Sequence, residues 1–231
     1  MNCLPCFKQQ MNSDFITRNL SRQKDIYLFD CHDVVKEMQL LYQFLSVEEK
    51  EKLNRIRSER GQQYFLFRKG MLRLILGRHM GMRPQDIKFL CAEFGKPYIP
   101  YANIQFNISH SKTYLMIGIS DEYSIGVDIE AKFYMHKERH RKMEDIFSLE
   151  EWKVYHMLSD EEQECFFMRT WVRKEAVCKA VGTGLTVELD RMNLLEKSGQ
   201  ARGTYFVHGR TIELHSIEDE AYYAAVAYVV G

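Results

Sequence analysis

The stretch "SIGVDIE", residues 124–130, decides how this chain is read. Its β-branched residues favour a strand, and in a strand successive side chains point to opposite faces. Val127 and Ile129 then point one way, while Asp128 and Glu130 share the other face. Two carboxylates on one face repel, so they must be solvated, protonated or held by a cation. The rest of the sequence bears on which of these holds.

The chain has 231 residues, 45% of them hydrophobic, which allows one large domain or two small ones. Formal net charge is zero, so no global field draws the protein to nucleic acid or to an anionic membrane. Charge is nonetheless uneven: residues 50–79 hold nine Lys/Arg against two acids, and residues 144–164 hold eight acids against Lys153 alone. A basic block of that size suits a phosphate-rich ligand or an acidic partner, or is simply a solvated helix face. The start, "MNCLPCFKQQ", has no apolar core of a secretory signal, and no run reaches the ~20 apolar residues of a membrane span. The six cysteines are scattered, and Cys3 and Cys6 form a lone CxxC with no second pair to complete a zinc site. Free thiols in a reducing cytoplasm are the expectation.

Three capping boxes, Ser46-Val-Glu-Glu49, Ser148-Leu-Glu-Glu151 and Ser159-Asp-Glu-Glu162, open helices expected over 47–57, 149–158 and 160–181. The third should stop where Gly182 and Gly184 allow left-handed backbone. Tyr64, Phe67, Met71, Leu74 and Ile75 form one stripe of a further helix over 59–80. Strands are expected at 25–30, 86–90, 104–108, 113–120, 124–130, 203–208, 211–216 and 221–230. The stretch 131–144 shows no sustained period and reads as a loop or irregular helix; its His136 and His140 do not match a zinc-binding HExxH. Each half passes from a strand through helices to hairpin strands. That echo predicts an α+β fold of two similar lobes, residues 1–121 and 122–231, with the 124–130 stretch opening the second lobe at the seam. Ligands often bind at such interfaces.

Two more stretches carry candidate chemistry. In "WVRKEAVCKAVGTGL", residues 171–185, Trp171, Glu175 and Lys179 lie on one side of a helix at i, i+4 and i+8. Lys174 falls inside the apolar stripe, where an ammonium must snorkel or find an anion. Glu175–Lys179 taken alone is an ordinary surface ion pair, but beside Asp128 and Glu130 it brings three carboxylates to one point. Oxygen ligands of that kind suit Mg²⁺ completed by substrate phosphates. In "FGKPYIP…FNISHS", residues 94–111, a Gly-Pro turn presents Lys96, and a strand end presents Ser109 and His110 in a polar corner.

Gly95-Lys96-Pro97, Phe106-Asn107-Ile108-Ser109-His110-Ser111, Gly126-Val127-Asp128-Ile129-Glu130, the Trp171–Lys179 helix and Gly182-Thr183-Gly184-Leu185 occur in one order. In that order they resemble the 4′-phosphopantetheinyl transferases of the surfactin-synthetase type. The resemblance covers about residues 60–190 directly. It implies two α+β lobes related by a pseudo-twofold axis, with coenzyme A and Mg²⁺ in the cleft. The implied reaction moves the phosphopantetheine arm to a serine of an apo acyl or peptidyl carrier protein and releases 3′,5′-ADP. By motif position, Asp128, Glu130 and Glu175 are the implied metal ligands, and Lys96, Ser109, His110 and Lys179 the implied coenzyme A contacts. Glu175, Lys179 and His110 are the implied catalytic groups. An arginine for the 3′-phosphate lies on the helix before the turn, with Arg68 the first choice and Arg60 the second. A cleft built within one chain implies a monomer. Another Mg²⁺-dependent pyrophosphate transferase or hydrolase needs the same acids without the GKP and SHS elements. A non-catalytic coenzyme A-binding protein would keep the fold but not all of these acids and Lys179.

Overall fold

The computed structural model describes residues 16–21, 24–32, 38–100, 102–132, 145–184, 188–196 and 201–231, with side chains from Asp25 onward. Cys3, Cys6, His136, His140 and Leu185 lie outside the described residues, as does most of the 131–144 stretch. The elements in order are β1 (Ile16–Ser21), β2 (Lys24–Asp30), α1 (Met38–Gln43), α2 (Val47–Arg55), α3 (Glu59–Met80), β3 (Leu90–Cys91), β4 (Pro97–Tyr98), β5 (Gln105–Ser111), β6 (Tyr114–Ser120), β7 (Ser124–Ala131), α4 (Leu149–Tyr155), α5 (Asp160–Val181), β8 (Arg202–Val207), β9 (Arg210–Glu218) and β10 (Tyr222–Val229). Among the described residues, two four-stranded antiparallel sheets form, in the orders β1-β2-β6-β5 and β7-β10-β9-β8. No helix among them is long and apolar enough to cross a membrane.

The sheets and long helices stack in four layers. Ile26 and Met116 of the first sheet meet Ile125, Val127, Ile129, Tyr222, Ala224 and Val226 of the second in one buried cluster. On its other face the first sheet buries Phe29, Phe106, Leu115, Ile117 and Ile119 against Phe67, Met71 and Ile75 of α3. The second sheet likewise buries Ile212, Leu214, Ala225 and Ala227 against Phe167, Met168, Val172 and Ala176 of α5. Burial of this apolar area, at about 25 cal/mol per Å², is the main force holding the layers together.

The two long helices are each 22 residues, and each carries a buried basic residue at its fifteenth position; on α5 the neighbouring Arg173 is buried too. On α3 this is Arg73, which binds the Glu49 carboxylate and donates to Pro84 O (2.7 Å) and Ile87 O (3.0 Å). On α5 it is Lys174, which donates to Glu151 Oε2 (2.5 Å), Ile146 O (2.5 Å) and Leu189 O (2.8 Å). Glu49 and Glu151 are also the third-position acids of their capping boxes. One carboxylate thus caps a short helix and anchors a long one. Lys174, fully buried, finds the anion that its place in the apolar stripe demanded.

Helix limits at 59–80 and 160–181 match the sequence pattern, and Gly182 ends α5 at φ 82°. The expected strand over 86–90 is mostly absent. Pro84–Asp86 forms a 3₁₀ turn and only Leu90–Cys91 pairs, with Pro97–Tyr98. Proline at the first position favours the turn. Ile87, in contrast, is buried as a core anchor. Replacing Lys174 with Met should leave Glu151 buried without its cation and cost roughly 3–5 kcal/mol. Urea unfolding measures this, and a loss below about 1 kcal/mol would contradict the anchoring role.

Candidate active site

Among the described residues β7 is an edge strand of the second sheet, paired with β10 on one side only. On the face opposite Val127 and Ile129 lie Gly126, Asp128 and Glu130, toward α5. A Cβ on Gly126 would come within 2.0 Å of Ala176 O and 2.3 Å of Ala180 N. Only glycine lets the helix backbone lie directly on the strand. That close approach sets Lys179 Nζ 2.6 Å from Asp128 Oδ1, with Glu175 Oε2 4.0 Å from the same ammonium. A cation, the Lys179 ammonium, therefore sits against Asp128, one of the three ways open to the carboxylate pair.

The free edge of β7 faces β5. There the alternation of strand side chains divides "FNISHS" in two. Phe106 and Ile108 turn toward α3, and His110 follows them. Asn107, Ser109 and Ser111 turn toward β7. Asn107 Oδ1 accepts from Val127 N (2.9 Å), Ser109 Oγ from Ile129 N (3.4 Å) and Ser111 Oγ from Ala131 N (3.1 Å). Three side chains stand in for a missing neighbour strand. The two hydroxyls also donate to the acids: Ser109 to Asp128 Oδ1 and Ser111 to Glu130 Oε2, each at 2.8 Å.

Asp128 is 4% exposed. Burial pushes its carboxyl above the usual carboxylate range, while Lys179 and Ser109 pull it back. Its Oδ2 is buried with no hydrogen-bond partner among the described residues. A buried carboxylate oxygen without a donor calls for a partner such as a water or an ion. With Glu130 and Glu175 nearby, the donor set is all oxygen, which suits a hard divalent cation. Among the described residues, however, no three His, Cys, Asp or Glu side chains are gathered closely enough to hold an ion. Lys179 is the group that lies between Asp128 and Glu175.

Arg68 meets His110, its guanidinium against Nε2, and also donates from Nε to Tyr64 O (3.1 Å). Burial, then Arg68 and Lys179, lower the His110 pKa to about 4, so the imidazole is neutral near pH 7. Arg60 instead lies on the exposed first turn of α3, donating to Tyr64 Oη at 3.0 Å. Lys96 turns inward: its ammonium donates to Lys179 O (2.7 Å), Ile125 O (2.9 Å) and Ser124 Oγ (3.3 Å). Burial lowers its pKa to about 8. These partners put Lys96 at the C-terminal end of α5, where a positive charge also suits the helix dipole. Trp171 stacks on Phe167 rather than entering the cleft.

A cleft of about 260 Å³ lies beside these groups, lined by Phe94, Pro97, Ile108, Glu175, Lys179 and Gly184 among others. Asp128, Glu175 and Lys179 thus crowd one part of the site, and Arg68 and His110 meet in another. Sequence reasoning named Asp128, Glu130, Glu175, Lys179, Ser109, His110, Arg68 and Lys96. It missed the pairing roles of Asn107 and Ser111. The period-two run of small polar residues at 107, 109 and 111 was the available signal.

His110 provides a direct check. A ¹³C- or ¹⁵N-detected NMR titration should place its midpoint near 4, and Arg68→Ala should move it up toward 6.5. The folded state resists a proton that the unfolded chain accepts, so this histidine lowers stability as pH falls from about 6.5 to about 4. A midpoint at 6.5 or above in the unmodified protein would contradict the contact.

Comparison with known proteins bears on what such a site does. Residues 32–121 match the family model "4′-phosphopantetheinyl transferase, N-terminal", and residues 124–227 match "4′-phosphopantetheinyl transferase superfamily". The chain is 32% identical over 160 residues to 4′-phosphopantetheinyl transferase ffp of Bacillus subtilis, covering 69% of this chain and 70% of that protein. It is 30% identical over 167 residues to 4′-phosphopantetheinyl transferase Sfp of Bacillus subtilis strain 168, covering 71% and 73%. It is 28% identical over 167 residues to the mouse L-aminoadipate-semialdehyde dehydrogenase-phosphopantetheinyl transferase, covering 68% of this chain and 54% of that one. The chain belongs to the 4′-phosphopantetheinyl transferase superfamily.

Proposed function

We propose that this protein transfers the phosphopantetheine arm of coenzyme A to a serine hydroxyl of an apo acyl or peptidyl carrier protein, releasing 3′,5′-ADP, with Mg²⁺ as cofactor. Membership of the family supports the enzyme class. The observation that carries the chemistry is the meeting of Asp128, Glu175, Lys179 and Ser109 where β5, β7 and α5 converge. The orphaned Asp128 Oδ2 supports a hard cation there. Asp128, Glu130 and Glu175 would hold Mg²⁺, whose chemistry is to neutralise charge on the pyrophosphate oxygens.

Phosphoryl transfer asks the protein mainly for positioning and charge stabilisation. The serine oxygen attacks the β-phosphorus, and the bond from that phosphorus to the oxygen bridging the two phosphates breaks. Glu175, directly or through water, accepts the serine proton. Lys179 neutralises the negative charge left on 3′,5′-ADP. Arg68 and His110 form the seat for the 3′-phosphate, and their contact favours Arg68 over Arg60 for that task. His110, neutral in the free protein, gains affinity for a proton beside a phosphate. Lys96 lines the cleft and also holds the Lys179 carbonyl, so it contacts coenzyme A in this scheme while fixing the end of α5.

The halves 1–121 and 122–231 read as similar lobes of one ancestral plan. In support, the matched family segments meet between residues 121 and 124, and the capping-box acids Glu49 and Glu151 anchor equivalent helices. The helix-facing side of β2 carries Tyr27 and Phe29, and that of β7 carries Asp128 and Glu130. One lobe alone would then carry the acids.

Incubation with coenzyme A, Mg²⁺ and each of several apo carrier proteins should add a phosphopantetheine mass to at least one carrier. Asp128→Asn should lower kcat/KM about a thousandfold, the several kcal/mol of a lost metal contact, while the variant stays folded. No mass gain on any carrier would overturn the assigned reaction. Full activity in EDTA would overturn the Mg²⁺ role.

A further inference from the structure

We propose that Ser111 is a positioning residue for the divalent ion: its hydroxyl aims the Glu130 carboxylate into the site while touching neither substrate nor ion. The inference rests on the Mg²⁺ reading above. Ser111 Oγ is engaged twice, accepting from Ala131 N at 3.1 Å and donating to Glu130 Oε2 at 2.8 Å. A hydroxyl has one proton to donate. With a backbone N–H already pointing at its lone pair, that proton is directed at the carboxylate. Glu130 has three side-chain torsions and sits near the end of β7 with part of its side chain in solvent. Such a carboxylate samples several directions unless a neighbour holds it.

Ser111 is separable from the reacting groups in a way Ser109 is not. Ser109 Oγ lies 3.3 Å from Lys179 Nζ and bonds Asp128, so its loss disturbs two charged groups at once. Ser111 has neither contact; its hydroxyl meets only Ala131 N and Glu130 Oε2 among the described residues. Its strand position also explains the spacing. Residues 109 and 111 repeat at the same interval as 128 and 130, so two serines address two acids in register. Groups that hydrogen-bond metal ligands typically change ion affinity by about 10–100-fold when removed.

The test uses the full chain saturated with coenzyme A and titrated with Mn²⁺, whose free-ion EPR signal reports binding. Ser111→Ala should weaken Mn²⁺ about tenfold and raise the Mg²⁺ concentration needed for half-maximal transfer by a similar factor. At saturating Mg²⁺ most of the activity should return. Coenzyme A affinity, measured by calorimetry in EDTA, should stay within about twofold. Ser111→Thr, which keeps the hydroxyl, should restore the ion affinity. A seam role alone predicts a different result: Tm falls by about 2–4 °C for the lost hydrogen bond, and Mn²⁺ affinity does not move. That outcome overturns the proposal. If Ser111→Ala does not fold, Ser111→Cys, a weaker donor of similar volume, is read by the same two outcomes. A wild-type chain that binds no Mn²⁺ and works in EDTA overturns the Mg²⁺ reading itself, and this inference with it, before any variant is compared.

Discussion

The site depends on one constraint: the outer edge of β7 has backbone N–H groups that no sheet neighbour among the described residues reaches. Unpaired edge donors are costly when buried and invite foreign strands when exposed. Here Asn107, Ser109 and Ser111 of β5 meet Val127, Ile129 and Ala131 N–H side chain to backbone. The edge is closed without merging the two sheets. Because the serines then donate onward to Asp128 and Glu130, the contact that joins the sheets also orients the acids. Structure and chemistry share the same atoms.

The opposite wall is held just as firmly. Gly126 lets α5 rest backbone on backbone against β7, which decides how far Lys179 can reach. Lys96 grips the last turn of that helix from the GKP turn, and Ser124 Oγ donates to Ala180 O at 2.6 Å. Deeper in, Lys174 and Glu151 fix the helix to the segments around Ile146 and Leu194. A buried ion pair is weak evidence of net stability. Its effect is to define where α5 sits, and with it the separation of Glu175 and Lys179 from the strand acids.

Much of this was legible in the sequence because local physics set it. Capping boxes and apolar stripes located α3 and α5 to the residue. Alternation put Asp128 and Glu130 on one face, and both indeed lie toward α5. Lys174 announced a buried anion by its place in the stripe, although its partner, Glu151, is an acid whose helix-capping role hid the second one. What sequence could not supply was direction across distant elements. Lys96 in a turn looks like a solvent-facing or ligand-facing group. Only the packing of 94–97 against α5 turns it inward. Ser109 and His110 look like a joint corner, yet the strand sends them to opposite faces. The short α1 and the two-residue β3 and β4 are too brief to leave a periodic signature.

The surrogate pairing along β7 is tested most directly by amide hydrogen exchange read residue by residue by NMR. Gly126, Asp128 and Glu130 point their N–H groups at β10 in the antiparallel ladder, and they serve as the internal standard. The account predicts that Val127 and Ala131, on the outer edge, are protected to a similar degree, and that Asn107→Ala selectively releases Val127. Rapid exchange of Val127 and Ala131 in the unmodified protein, with the other three still slow, would contradict it.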